Sequence, residues 1–147
     1  MYSDILVPTD GSDSIEQVLE HTVDIAEGRN VTVHALYVVD DRAFLSMDDD
    51  MKDEVLEELK AEGRAATSDV EAALEQEGIS VTKTIMRGRP ADHIVSYVKD
   101  AGIDLVTMGS QAGEYEQNML GSTSQKVVTQ SPAPVLTVDV SESTDGQ

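Results

Sequence analysis

The chain holds 147 residues, with 29 Asp plus Glu against 10 Lys plus Arg and a formal net charge of −19. That length predicts one domain with a sizeable core, and the charge excludes a general nucleic-acid binder or an anionic membrane surface as partner. No apolar run approaches the roughly 20 residues of a spanning helix, and the absence of cysteine removes disulfide scaffolds, thiolate zinc sites and thiol catalysis.

The start, Met1-Tyr-Ser-Asp4, lacks the basic and apolar regions of a secretory leader, so a cytoplasmic protein is expected. Five lysines, many aspartates and small apolar residues fit a carboxylate surface solvated in concentrated salt, hence a halophilic cytoplasm. Intrinsic disorder, the other reading of high charge with few aromatics, fails because the apolar residues are grouped and periodic.

Ile5-Leu-Val-Pro-Thr-Asp10 is an apolar run closing in turn chemistry, the pattern of a buried strand. Gly11 and Ser12 would open a helix whose inner face is Ile15, Val18, Leu19, Thr22, Val23 and Ala26, ended by Gly28. Val31 to Val39 is β-branched and reads as the second strand. Residues 46 to 77 carry a long helical pattern with Val55, Leu59, Ala66, Val70, Ala73 and Leu74 inward. Gly63 costs that helix about 1 kcal/mol relative to Ala, which marks a place for a bend or break.

Ile79 to Met86 alternates as a third strand. Pro90 would begin a helix with Ala91, Ile94, Val95 and Val98 inward, and Gly102 would end it. Asp104 to Gly109 is the fourth strand, Ser122 to Gln130 a short helix, and Pro134 to Val138 the last strand. Residues 1–140 form one domain in this reading and 141–147 a polar, disordered tail. The order βαβαβαβαβ predicts an α/β fold: a five-stranded parallel sheet sandwiched by four helices.

Ligands of such sheets bind beyond the carboxyl ends of the strands, where strand order reverses. Three segments qualify: Thr9 to Ser12, Val39 to Asp41, and Gly109 to Ser122. In the third, Gly109 and Gly113 permit close backbone approaches, and Gly121-Ser-Thr123 would set free N–H groups and hydroxyls at a helix N-terminus, an anion site. An ordinary loop and helix cap is an equal reading of that spacing.

Five collinear segments together resemble the universal stress protein family. They are Ile5 to Ser12, Leu36-Tyr-Val-Val-Asp40, Gly88-Arg-Pro-Ala91, Asp104-Leu-Val-Thr-Met-Gly-Ser110, and Leu120 to Val138. The resemblance implies an adenine-nucleotide α-hydrolase-like, Rossmann-like domain, a stress-response regulator, and a homodimer through the last strand, Val135 to Val140. It also implies an adenine nucleotide, ATP or AMP, with Mg²⁺ if ATP, and at most slow hydrolysis. By position, Pro8, Thr9, Asp10, Val38, Val39, Met108, Gly109, Gly113, Gly121, Ser122 and Thr123 would form the nucleotide site. Asp10 and Thr9 would face ribose and adenine, backbone near Val38 the adenine edge, and Gly109 with Gly121 to Thr123 the ribose and phosphates.

The family's loop pattern, Gly-x-x-Gly, nine residues, Gly-Ser/Thr, is altered. Ala112 stands at the second glycine with eight residues before Gly121, or seven if Gly113 is used instead. Glu114 and Glu116 lie where relatives carry basic residues, and no Lys or Arg occurs from Asp100 through Gln125. Like charges ~6 Å apart repel by roughly 3 kcal/mol at an effective dielectric of 20, so adenosine or AMP is an easier ligand than ATP. The alternative is a dimeric interaction module of the same family that binds no nucleotide.

Other chemistry finds less support. Asp10 blocks a pyrophosphatase-type reading of Thr9-Asp-Gly-Ser-Asp-Ser14, because it replaces a glycine that would meet pyrophosphate. A receiver domain needs an acceptor Asp after the third strand, where Met86-Arg-Gly-Arg89 stands. The acidic run Asp48 to Asp50 with Asp53, Glu54, Glu57 and Glu58 reads better as a solvated helix start than as a cation site. His21, His34 and His93 lack ligand spacing, and His93 is expected at a surface or interface. No metal or catalytic motif is found.

Overall fold

A computed structural model describes residues 2–110 and 121–139. Strands β1 (Asp4–Pro8), β2 (Thr32–Asp40), β3 (Ser80–Gly88), β4 (Leu105–Gly109) and β5 (Val135–Val138) alternate with helices α1 (Ile15–Ala26), α2 (Asp49–Glu75), α3 (Pro90–Asp100) and α4 (Ser122–Gln130). All four strand pairings are parallel, in the order β3-β2-β1-β4-β5. This is the expected α/β sandwich.

β1 sits at the centre, and Ile5, Leu6 and Val7 are fully buried, as a strand covered on both faces requires. Ile5 and Val7 join Val33, Ala35, Val18, Leu19, Val70 and Leu74 in the layer under α1 and α2. Leu6 faces the other way, into Leu36, Ile94, Val98, Val106 and Val127 beneath α3 and α4. Thr22 and Thr107, both buried, share a hydrogen bond of 2.8 Å across α1 and β4, so neither hydroxyl is orphaned.

α1 begins at Ile15 rather than at Gly11 or Ser12. Gly11 N–H donates to Thr9 Oγ1 (3.1 Å) and Ser12 N–H to Asp10 Oδ1 (2.9 Å), so the chain closes a side-chain-bonded turn before the helix can start. A 3-10 turn, Asp41–Phe44, separates β2 from α2.

α2 runs unbroken over 27 residues, so Gly63 marks no break. The glycine is buried, and a Cβ there would stand 2.7 Å from Tyr37 Cδ1, closer than packed carbons come. The missing side chain makes room for a ring. Ala73 is exposed rather than inward, because the buried stripe passes through Gly63, Ala66, Thr67, Val70 and Leu74 and leaves position 73 at its flank. Ala91, Ile94, Val95 and Val98 are buried on α3 as expected.

Candidate functional site

β1 and β4 are sheet neighbours, yet β1 leads to β2 and β3 on one side while β4 leads to β5 on the other. The strand order reverses between them, and the crevice opens beyond their carboxyl ends. The turn after β1 and the end of β4 therefore meet there.

The pairing register gives the crevice a step. β1 ends at Pro8 opposite Leu36, while β2 and β3 continue together to Asp40 and Gly88. Thr9 N–H still donates to the Leu36 carbonyl (2.9 Å), so Leu36 turns its backbone toward β1. Backbone direction alternates along a parallel strand, so Val38 turns its N–H and C=O to the same edge, where no β1 residue stands opposite. Val38 is half-buried on the α3 side and Val39 fully buried on the α2 side.

Thr9 is buried with its hydroxyl accepting from Gly11. Asp10 is exposed at the tip of the turn. Gly11 takes a φ of +86°, which favours glycine, and it faces Ala66 and the Tyr37 ring at 3.9 and 4.0 Å from where its Cβ would be. Tyr37 thus lies beside two glycines, one in the turn after β1 and one in α2. Its hydroxyl donates to Glu62 (3.4 Å), and burial, then the Glu62 and Asp10 charges, raise the phenol above its ordinary value.

On the other side of the crevice Met108 is buried and Gly109 closes β4, with Ser110 N–H donating to the Val138 carbonyl (2.9 Å). Gly121 is the N-cap of α4, no side chain caps the helix, and the first helical bond runs from Gln125 N–H to Gly121 (2.9 Å). The N–H groups of Ser122, Thr123 and Ser124 precede that bond and face the helix end. Gly113, Glu114 and Glu116 lie outside the described residues.

No Lys or Arg occurs from Asp100 through Gln125, and three of the cations elsewhere in the chain pair with carboxylates. Lys126 on α4 meets Asp92 on α3 at 2.8 Å, and the ammonium holds that carboxyl below its usual range. Arg42 meets Asp40 at 2.6 Å, and this hydrogen bond is the main cause lowering the Asp40 pKa. Arg87 meets Asp41 at 2.8 Å and stacks 5.0 Å from the Phe44 ring centre.

His93 is half-buried, with its imidazole lying over Gly88 at the end of β3. Gly88 has a φ of +147°, and a Cβ there would collide with the imidazole. His34 is also engaged: Nδ1 meets the Tyr97 hydroxyl at 2.8 Å and Nε2 meets Asp4 at 3.0 Å. His21 is exposed on α1. Among the described residues no group of three or more His, Asp or Glu side chains is placed to hold a metal. None of the described helices is long and apolar enough to cross a membrane.

The family profile described as the Universal stress protein family matches residues 1–139. Universal stress protein MJ0531 of Methanocaldococcus jannaschii is 33% identical over 140 residues, covering 94% of this chain and 82% of that protein. A universal stress protein of Methanothermobacter thermautotrophicus is 33% identical over 138 residues, 92% of this chain and 94% of its own. The solved structure of MJ0577 superposes with a TM-score of 0.88 at 30% identity, covering 97% and 99% of the two chains. More distant structures share the fold. They include an Archaeoglobus fulgidus universal stress protein in complex with dAMP (20% identity, TM-score 0.69, 92% and 97% covered) and an Arabidopsis thaliana family protein with AMP bound (18%, 0.73, 95% and 93%).

Proposed function

The chain belongs to the universal stress protein family, and from that premise we propose that the crevice beyond β1 and β4 binds an adenine nucleotide as part of a stress-response regulator. The observation that carries this reading is the step in the sheet, where Val38 offers a backbone donor and acceptor beside the Asp10 turn. Adenine presents the complement, an amino donor next to a ring-nitrogen acceptor. Asp10, exposed and acceptor-only when ionised, suits ribose hydroxyls. The uncapped start of α4 suits a phosphate. The AMP and dAMP held by structural relatives support the same ligand class.

AMP is the preferred ligand in this proposal. ATP is the second, with Mg²⁺ offsetting its added charge against Glu114 and Glu116 in the loop. The setting proposed is a cytoplasm of high salt, which the carboxylate-rich surface supports.

Calorimetric titration of AMP, ADP and ATP, with Mg²⁺, in molar KCl tests the reading. Saturable heat is expected with AMP, and Asp10→Ala and Gly121→Val should each abolish it. The first removes the ribose acceptor, and the second sets a branched side chain where phosphate approaches. Full affinity in both variants would overturn the site, and no heat with any nucleotide would overturn the function.

A second reading, a dimeric interaction module without nucleotide, draws on the open edge of β5. Val135, Leu136 and Thr137 are half-buried there, and the outer side of the strand has no strand partner among the described residues. A homodimer through Val135 to Val140 is compatible with either reading.

A further inference from the structure

The first turns of α3 and α4 bring cations close together. Lys126 follows Ser122 by four residues on α4, so the two share a helix face. A long helical side chain leans back toward its own N-terminus, which directs the Lys126 ammonium toward the first turn of α4. There it meets Asp92, which belongs to the first turn of α3. Arg89, the exposed N-cap of α3, lies close enough for its charge to act on both Asp92 and Asp40. Among the described residues Arg89 has no ion-pair partner. α3 and α4 pack against one another, and both begin at the carboxyl end of the sheet, so their positive ends add to these cations. A carboxylate of the protein itself stands in this corner.

We propose, resting on the nucleotide reading above, that Lys126 and Arg89 are the phosphate-contacting cations of the site and that Asp92 is a resident counter-ion which the ligand phosphate replaces. The exchange is physically easy. The Lys126 and Asp92 side chains are 45% and 55% exposed, and a pair so exposed holds weakly. A nucleotide monophosphate brings close to two charges and three acceptor oxygens at neutral pH, against the single charge of the carboxylate. Displaced Asp92 can turn to solvent, to which more than half of its side chain is already open. The arrangement selects for a phosphorylated nucleoside over the bare one.

Adenosine and AMP titrated into the full chain at one fixed ionic strength separate the possibilities. Lys126→Gln and Arg89→Gln should each weaken AMP by about tenfold, as expected for loss of a charge-assisted contact, while adenosine stays within about twofold. Asp92→Asn should tighten AMP several-fold and leave adenosine alone, a gain that general destabilisation cannot mimic. AMP affinity unchanged in both cation variants, or AMP and adenosine weakened equally, would overturn the proposal while leaving the nucleotide site intact. A wild-type chain that binds neither ligand would overturn the nucleotide reading and this one with it.

Discussion

Tyr37 shows how much of this molecule is decided by contacts that no single residue announces. Its ring fills a slot made by the absence of a side chain at Gly63 in α2 and lies beside Gly11 in the turn after β1. On propensity alone Gly63→Ala should strengthen α2 by about 1 kcal/mol. In place, the new methyl would stand 2.7 and 3.0 Å from Tyr37 Cδ1 and Cγ, and overpacking of this kind costs typically about 1–3 kcal/mol. The ring is 7% exposed and has no free direction in which to yield, so packing wins. Gly63→Ala is expected to lower stability by about 1 kcal/mol, read as an earlier urea midpoint at unchanged slope. A later midpoint would mean that the slot is not tight. In one dimension Gly63 reads as a weak point of a helix, because its meaning depends on which β2 residue α2 covers. His93 is similar: the helical stripe places it near the inner face, but only the register of Gly88 shows what it touches.

Elements were more legible than residues. The ends of β4, α3, α4 and β5 fall within a residue of expectation, because apolar runs bounded by Gly and Pro leave few alternatives. The three candidate loops also follow from strand direction. What periodicity does not carry is which of them meet, since strand order is set by crossovers turning to either side of β1. A link of this long-range kind starts the central strand: Asp104, just before β4, accepts N–H bonds from Ser3 (2.8 Å) and Asp4 (2.9 Å). Those backbone donors hold its carboxyl below the usual carboxylate value. A depressed folded-state pKa means that the contribution is complete above the unfolded value of about 3.9 and is lost as pH falls through the folded one. Asp104→Asn should therefore be less stable than wild type at pH 7. The gap should close as pH drops below the ordinary carboxylate range, in paired urea titrations. A gap that persists at the lowest pH would assign the loss to packing instead of charge.

At the scale of the whole molecule, charge and the open sheet edge bear on each other. Five ion pairs between Lys or Arg and carboxylates are seen among the described residues, so most of the carboxylates among those residues stand without a Lys or Arg partner. Two such chains repel, and any dimer must place their acidic regions apart. The fold does this. α2, with Asp49 and Asp50 in its first turn and further carboxylates along it, packs on β2 and β3 at one side of the sheet. β5 is the edge at the other. Two copies joined along β5 would keep their α2 helices at opposite ends of the assembly and would pair backbone groups that an isolated edge leaves open. Val128 on α4, 43% exposed, adds apolar surface beside that edge. Residual repulsion between copies is long-range, and screening shortens its reach from about 10 Å at 0.1 M salt to about 3 Å at 1 M. Light scattering should accordingly report twice the chain mass in molar KCl and a falling mass as salt is removed. Thr137→Lys, which sets a cation on the edge strand without removing an apolar core side chain, should leave a monomer with an unchanged circular-dichroism spectrum at both salt concentrations. A wild-type monomer in molar KCl, or a Thr137→Lys dimer, would place the contact elsewhere or remove it.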